Sequence, residues 1–249
     1  MNDNDNKRRG FLAAGAGVAA GLGLVALAPG VHLIQVSQAQ SKRPAGEPAS
    51  KLQRWGLLVD TTKCASGCDV CVSACATENG INEKVADPAQ RAQWIRKIDL
   101  KDPHNGRQHS LPMMCQHCAE PPCVDVCPTG ASMKRADGIV LVDRHICIGC
   151  RYCMMACPYK ARSFVHQPLT EQNPEVPRGM GCVESCTLCV HRVDKGLKPA
   201  CVEACPEGAM VFGDLEDPTS DISRRIAQTA TTQVRADLKL NTGVRYQGI

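Results

Sequence analysis

Seventeen cysteines in a chain of 249 residues all fall between Cys64 and Cys205, and their spacing constrains the fold more than any other feature. They form four groups. The first is Cys64, Cys68, Cys71 and Cys75; the second is Cys115, Cys118, Cys123 and Cys127. The third is Cys147, Cys150, Cys153 and Cys157; the fourth is Cys186, Cys189, Cys201 and Cys205, with Cys182 left over just upstream. An odd count excludes complete pairing as disulfides. Three Phe, three Tyr and two Trp supply little aromatic core, while 21 Gly and 16 Pro interrupt regular elements. Something besides side-chain packing must hold such a chain together.

The third group, followed by Pro158, has the Cys-x2-Cys-x2-Cys-x3-Cys-Pro spacing of a cubane [4Fe–4S] loop. Three thiolates on one tight loop grip three irons of a cube. The fourth cysteine lies too far along to reach back, so it serves a neighbouring cluster. Proline after it favours an extended backbone and stops the loop. Cys127-Pro128 and Cys205-Pro206 close two other groups in the same way. Zinc sites also use Cys-x2-Cys pairs, but they do not require four quartets with closing proline. Cys64-x3-Cys68-x2-Cys71 and Cys182-x3-Cys186-x2-Cys189 match the spacing of radical S-adenosylmethionine enzymes, which leave one iron open. Here the last cysteine of each quartet is available to close that position. Cys182 reads as a free buried thiol in preference to a ligand.

The surroundings of the groups repeat. Leu57-Leu58-Val59-Asp60 before Cys64 aligns with Val140-Leu141-Val142-Asp143 before Cys147, each a short strand feeding a cluster loop. Cys-Pro-x-x-Ala recurs at Ala131, Ala161 and Ala209, and predicts strands at 132–134, 162–166 and 210–213. Asp137-Gly138 predicts a hairpin turn between two of the strands. Trp94–Ile98 and Ser110–Met114 predict an inserted hairpin turning at Asp102–Gly106. Gln167–Gly181, with three prolines, predicts a long surface loop, and Ser220–Ala230 a short helix. The expected fold is α+β: tandem, duplicated bacterial ferredoxin-like units with inserted hairpin and loops, few regular elements, organised around [4Fe–4S] clusters.

Lys7-Arg8-Arg9-Gly10-Phe11-Leu12 and an uncharged run from Phe11 to Ala28 read as a twin-arginine export signal, with small residues at Ser37 and Ala39 for cleavage before Gln40. A retained membrane anchor is the alternative, weakened by the many glycines. That route carries folded proteins, which suits a chain loaded with clusters before export. The expected location is periplasmic, peripheral to the inner membrane.

A net charge of +4 and few aromatics argue against a nucleic-acid partner. No Ser/His/Asp set, phosphate-binding loop or dinucleotide fingerprint is apparent, so no catalytic residues are assigned. His117, His145 and His191 sit beside candidate ligands, but a full cysteine complement gives them supporting or surface roles. Lys63, Arg144, Arg151, Lys160 and Arg192 lie near the cysteines and either tune the clusters or line a solvated surface.

Cys186-Thr-Leu-Cys189-Val-His-Arg192, Pro199-Ala-Cys201-Val-Glu-Ala-Cys205-Pro206 and Cys115-Gln-His-Cys118-Ala-Glu-Pro-Pro-Cys123 resemble the four-cluster iron–sulfur subunits of the dimethylsulfoxide-reductase family. The likeness spans Trp55 to Asp214. Within that family the export signal, the Cys-x3-Cys opening and the tail Leu240–Ile249 are most similar to the exported O subunits (DsrO-like) of membrane complexes linked to dissimilatory sulfite reduction. The resemblance implies four [4Fe–4S] clusters with crossed ligation. Cys64, Cys68 and Cys71 would share one with Cys205, and Cys186, Cys189 and Cys201 another with Cys75. Cys115, Cys118 and Cys123 would pair with Cys157, and Cys147, Cys150 and Cys153 with Cys127. An extra residue in the first gap of quartet one and the missing proline after Cys75 depart from the pattern.

The implied organisation is a signal peptide over 1–39, a linker over 40–54, and a first unit from 55–111 and 167–214 with an insertion at 76–111. A second unit covers 112–166, and a helix and tail 215–249. The implied function is electron transfer between an integral membrane quinone-interacting subunit and an exported multihaem cytochrome c, with membrane association through those partners. An alternative is the electron-transfer subunit of an exported nitrite, tetrathionate or polysulfide reductase.

Overall fold

The computed structural model describes residues 47–81, 87–170 and 172–249; the expected signal peptide and residues 40–46 of the expected linker lie outside the described residues. β1 (Trp55–Asp60) is a continuous apolar run and is buried almost throughout. Such a run needs cover on both faces and neighbours on both edges. It has them: β8 (Met210–Asp214) pairs antiparallel with one edge, with Leu57 opposite Phe212. β10 (Val244–Gln247) pairs parallel with the other, with Leu57 opposite Val244. β9 (Thr231–Thr232) completes the sheet order β8-β1-β10-β9. Trp55 stacks on Phe212 at 5.2 Å between ring centroids, so two of the scarce aromatics share one contact.

Residues read from the sequence as a tail therefore carry a strand beside β1. Tyr246 on β10 is wholly buried; its hydroxyl donates to the Pro112 carbonyl at 3.0 Å and accepts from Gln116 Nε2 at 3.2 Å.

The inserted hairpin is present as β2 (Ile95–Lys101) and β3 (Gln108–Met114), paired from Ile95↔Met114 to Lys101↔Gln108. Its turn end is exposed and its base buried, which delivers Met114 and Cys115 into the core. β4 (Ser132–Lys134) and β5 (Val140–Val142) form a hairpin around Asp137-Gly138, where Gly138 has φ +85°. β6 (Arg162–Phe164) pairs with β7 (Val183–Ser185) across the irregular stretch 167–181. That stretch is long but not wholly superficial. Arg178 and Glu184 form a buried ion pair at 2.7 Å, and Arg178 Nη1 donates to the Gly80 carbonyl at 2.8 Å.

The helices are short: α1 (Val70–Glu78), α2 (Pro122–Asp125), α3 (Tyr152–Ala156), α4 (Val190–Val193), α5 (Ala200–Glu203) and α6 (Asp221–Gln228). Isolated helices of this length are unstable in water, so tertiary contacts must hold them. α6 starts where the sequence predicts, capped by Ser220 accepting from the Ser223 amide at 3.2 Å. Its Ile222 is buried against Gly213 of β8, where a β-carbon would approach within 2.9 Å. The other five helices follow or carry cysteines. Among the described residues no helix is long and apolar enough to cross a membrane.

Candidate metal centres

The second cysteine of every quartet is preceded by a residue with positive φ: Gly67 (+78°), His117 (+43°), Gly149 (+70°) and Leu188 (+51°). A turn into the left-handed region points successive amides to one side, which makes a concave seat for anionic sulfur. The extra residue in quartet one is therefore absorbed upstream of this turn, and Gly67 keeps the role of the other three. Gly149 has no freedom to be replaced, since a β-carbon there would strike the Gly181 carbonyl. Amides reach the thiols directly: Leu188 N to Cys186 Sγ at 3.5 Å, Ser132 N to Cys127 Sγ at 3.3 Å and Ala209 N to Cys205 Sγ at 3.3 Å.

The short helices then divide each quartet. Cys71 and Cys75 are one turn apart on α1, yet they face different neighbours. Burial pushes the Cys71 thiol up to about 11; nearby Lys97 lowers it, and Cys64, Cys205 and Cys68 raise it further. Burial raises Cys75, reinforced by Cys201 and Cys189. Cys75, Cys186, Cys189 and Cys201 line one cavity with Asn79, Trp94 and Thr187. Cys115 and Cys118 are pushed up to about 12, first by burial, and both feel Cys123 and Cys157. Cys127, Cys147, Cys150 and Cys153 line a second cavity. The structure thus gathers sixteen thiols into four sets, each taking three cysteines from one quartet and the last from another. Packing of α1 on α5 and of α2 on α3 brings the partners together.

Exposure separates the sets. Cys75, Cys186, Cys189 and Cys201 are all buried, as are Cys115, Cys118, Cys123 and Cys157. In the set of Cys64, Cys68, Cys71 and Cys205 only Cys71 is buried; in the set of Cys127, Cys147, Cys150 and Cys153 only Cys153 is, and Cys150 is exposed. Tyr246 is buried near Cys186 and Tyr159, and Tyr159 is near Cys118 and Cys157.

The donors fit [4Fe–4S] clusters. Among the described residues no three metal-binding side chains converge on a point that suits a single ion. Two of the thiol sets instead line cavities, as a cube with one thiolate per iron requires. The first cavity also contains the buried Trp94 Nε1 and Thr187 Oγ1, neither with a hydrogen-bond partner. Such donors suit sulfur acceptors in the cavity. Bare thiols pushed up to about 12 stay protonated near neutrality, so loading a metal must displace their protons.

Three supporting residues lie outside the sequence motifs. Lys97 Nζ donates to Cys64 Sγ at 2.8 Å. Asn79 Nδ2 donates to Cys75 Sγ at 3.5 Å and lies 4.0 Å from Cys189 Sγ. Arg162 Nη2 donates to Cys123 Sγ at 3.1 Å. Only Asn79 has a legible signal, four residues after Cys75. Lys97 and Arg162 arrive from strands far away in sequence.

No histidine is among the residues that line the two cavities. His117 Nδ1 accepts from the Val140 amide at 3.0 Å, and burial pushes its pKa down to about 3, so the ring is neutral. His191 Nε2 pairs with Glu78 Oε1 at 2.7 Å, and the His145 amide donates to Asp143 in an exposed turn. Cys182 is buried behind Cys147, its Sγ donating to the Arg144 carbonyl at 3.4 Å, and it is not among the residues lining that cavity.

Residues 107–215 match the family described as "4Fe-4S dicluster domain". The chain is 42% identical over 233 residues to an Hdr-like menaquinol oxidoreductase iron-sulfur subunit of Archaeoglobus fulgidus, covering 80% of this chain and 85% of that one. It is 40% identical over 196 residues to a putative dimethyl sulfoxide reductase iron-sulfur subunit of Halobacterium salinarum, covering 74% of each. It is 36% identical over 203 residues to a tetrathionate reductase subunit of Salmonella typhimurium, covering 81% of this chain and 75% of that one. Cysteine-lined cavities, amide-rich loops and these relatives agree: the chain belongs to the family of [4Fe–4S] electron-transfer subunits of oxidoreductase complexes, and is not their catalytic subunit.

Proposed function

We propose that the chain holds four [4Fe–4S] clusters, one per thiol set, as the electron wire of an exported respiratory complex of sulfur metabolism. The observation that carries this reading is the difference in exposure: two sets are wholly buried and two reach the surface. A [4Fe–4S] cluster supplies one-electron storage when bound. The chain supplies the rest: thiols that fix the order of the carriers, amides and cations that set their potentials, and a dry interior that excludes side reactions. The two surface sets are the places where electrons enter and leave. Around Cys150, Ile146, Ile148, Tyr152 and Met155 are exposed, the character of a surface that a protein partner covers.

Sequence repeats around the quartets support a duplicated ferredoxin-like ancestry, and the arginine pair near the start supports twin-arginine export to the periplasm. The partners proposed are a quinone-reactive integral membrane subunit and a multihaem cytochrome c, as in complexes with DsrO-like subunits. The name of the menaquinol oxidoreductase relative supports the quinol side. The second reading, the wire of an exported tetrathionate-type reductase, is favoured by the Salmonella relative.

Two measurements test this. Iron analysis of the full chain should give about 16 atoms, four per cubane; about 12 would exclude the four-cluster reading. Purification of the tagged chain from its native membranes should bring down a membrane subunit and a haem-staining protein. Recovery of a large pterin-containing subunit instead would select the reductase.

A further inference from the structure

Arg162 opens β6 and is only 6% exposed. Burying a guanidinium without an anion is costly. Its guanidinium donates to Cys123 Sγ at 3.1 Å and to Ser132 Oγ at 2.8 Å and also bonds the Cys153 side chain, and none of these partners is a carboxylate. Nε and Nη1 are buried and reach no oxygen acceptor. The groups around it that become anionic when clusters are bound are thiols of two different sets. The guanidinium neighbours Cys123 and Cys115 of one set and Cys153 of the other, and Ser132, to which it bonds, lines the cavity of that other set.

Its place in the repeat is also informative. Arg162 follows Ala161, Ser132 follows Ala131 and Met210 follows Ala209, each after Cys-Pro-x-x. Two equivalent positions therefore meet, the hydroxyl of one anchoring the guanidinium of the other. The remaining unit has a thioether there and no charge.

We propose that Arg162 is a shared positioning residue, held by Ser132 between the two thiol sets of the second pair, whose fixed charge raises the reduction potentials of both clusters together. The inference rests on the four-cluster reading above. Its sign follows from charge. Reduction adds one electron and one negative charge to a site, and a neighbouring cation favours that state. When an electron passes between the two sites, one is oxidised and the other reduced. Arginine stays protonated throughout, so no proton moves. Because one guanidinium serves both sites, its field does not oppose the passage.

The test is an EPR-monitored redox titration of the full, cluster-loaded chain and its Arg162→Gln and Arg162→Lys variants, with iron and sulfide measured on the same samples. With iron unchanged, Arg162→Gln should shift the reduction equilibrium of two clusters at least tenfold toward the oxidised form, 59 mV for a one-electron couple, and leave the other two in place. Lysine, a point charge without the planar fork, should restore one of the two at most. No shift, or a shift in one cluster only, would overturn the proposal. If Arg162→Gln does not keep its iron, Ser132→Ala decides the matter, since it keeps the charge and releases the anchor. Two potentials moving apart would support the shared position, and none moving would refute it. Failure of the four-cluster reading is separately visible as a lower iron content in the unaltered chain.

Discussion

The ammonium of Lys97 lies 2.8 Å from the sulfur of Cys64 and also reaches the Ala65 carbonyl at 3.3 Å. Lys97 belongs to the inserted hairpin, so this insertion places a cation on a surface-reaching thiol set. A hydrogen bond to a charged group is worth ~1.5–3 kcal/mol, less where solvent screens it. Lys97→Met should therefore lower the potential of one cluster by up to roughly tenfold in its reduction equilibrium, with iron content unchanged. Redox titration by EPR checks it, and movement of several clusters would contradict this local role.

The set of Cys75, Cys186, Cys189 and Cys201 has the opposite environment. It is buried, and its closest side-chain donor is the neutral amide of Asn79. Arg192, the nearby cation, is already paired with Glu78 at 3.0 Å. A low dielectric without a compensating cation disfavours added negative charge. The cluster with the lowest potential should be the one held by this set. Asn79→Asp, which adds a negative charge beside Cys75, should lower that one potential further. If the lowest-potential signal does not respond, the assignment is wrong.

Arg178 and Glu184 tie the stretch 167–181 to the body of the protein through a buried pair and the Gly80 carbonyl. Removing one partner of such a pair leaves an uncompensated charge and costs ~3–5 kcal/mol. Arg178→Ala should release the loop to proteolysis between Gln167 and Gly181 and hasten cluster loss. The double change Arg178→Met with Glu184→Met should be milder than Arg178→Ala. Limited proteolysis and the decay of visible absorbance on warming measure both.

Tyr246 makes the C-terminal strand part of the centre. Tyr246→Phe leaves the Pro112 carbonyl without its donor and should cost ~1 kcal/mol. Tyr246→Ala opens a cavity at this buried position and should cost ~3–5 kcal/mol. The ranking should show in the temperature at which cluster absorbance is lost, with the wild type above Phe and Phe above Ala.

The apoprotein should be sensitive to alkali. In the folded chain Cys115, Cys118 and Cys201 are raised from the ordinary value of 9.0 to about 12, burial being the main cause. A folded value above the unfolded one contributes stability that is present below pH 9 and is lost as pH rises toward 12. Iron-depleted chain should therefore lose its residual circular dichroism between about pH 9 and 12. The loaded chain, whose thiolates are already ligated, should resist over that interval. Equal alkaline transitions would contradict the burial of these thiols.

The sequence by itself determined the local chemistry. Cysteine spacing, closing prolines and the repeated Cys-Pro-x-x-Ala identify loops that wrap a cluster, and alternation with turn residues locates β2, β3 and the β4–β5 hairpin. These signals are local because a loop of a few residues either can or cannot seat a cubane. Tertiary structure decided what depends on contacts between distant residues. It made β10 a neighbour of β1 and buried Tyr246 of that strand near Cys186. It set Cys71 and Cys75 toward different neighbours although one helical turn separates them, and buried two sets while leaving two at the surface. It brought Lys97 and Arg162 to sulfur from strands whose sequences show only ordinary basic residues. Short spacing specifies which atoms bind; only packing specifies which charges surround them, and reduction potential follows from those charges.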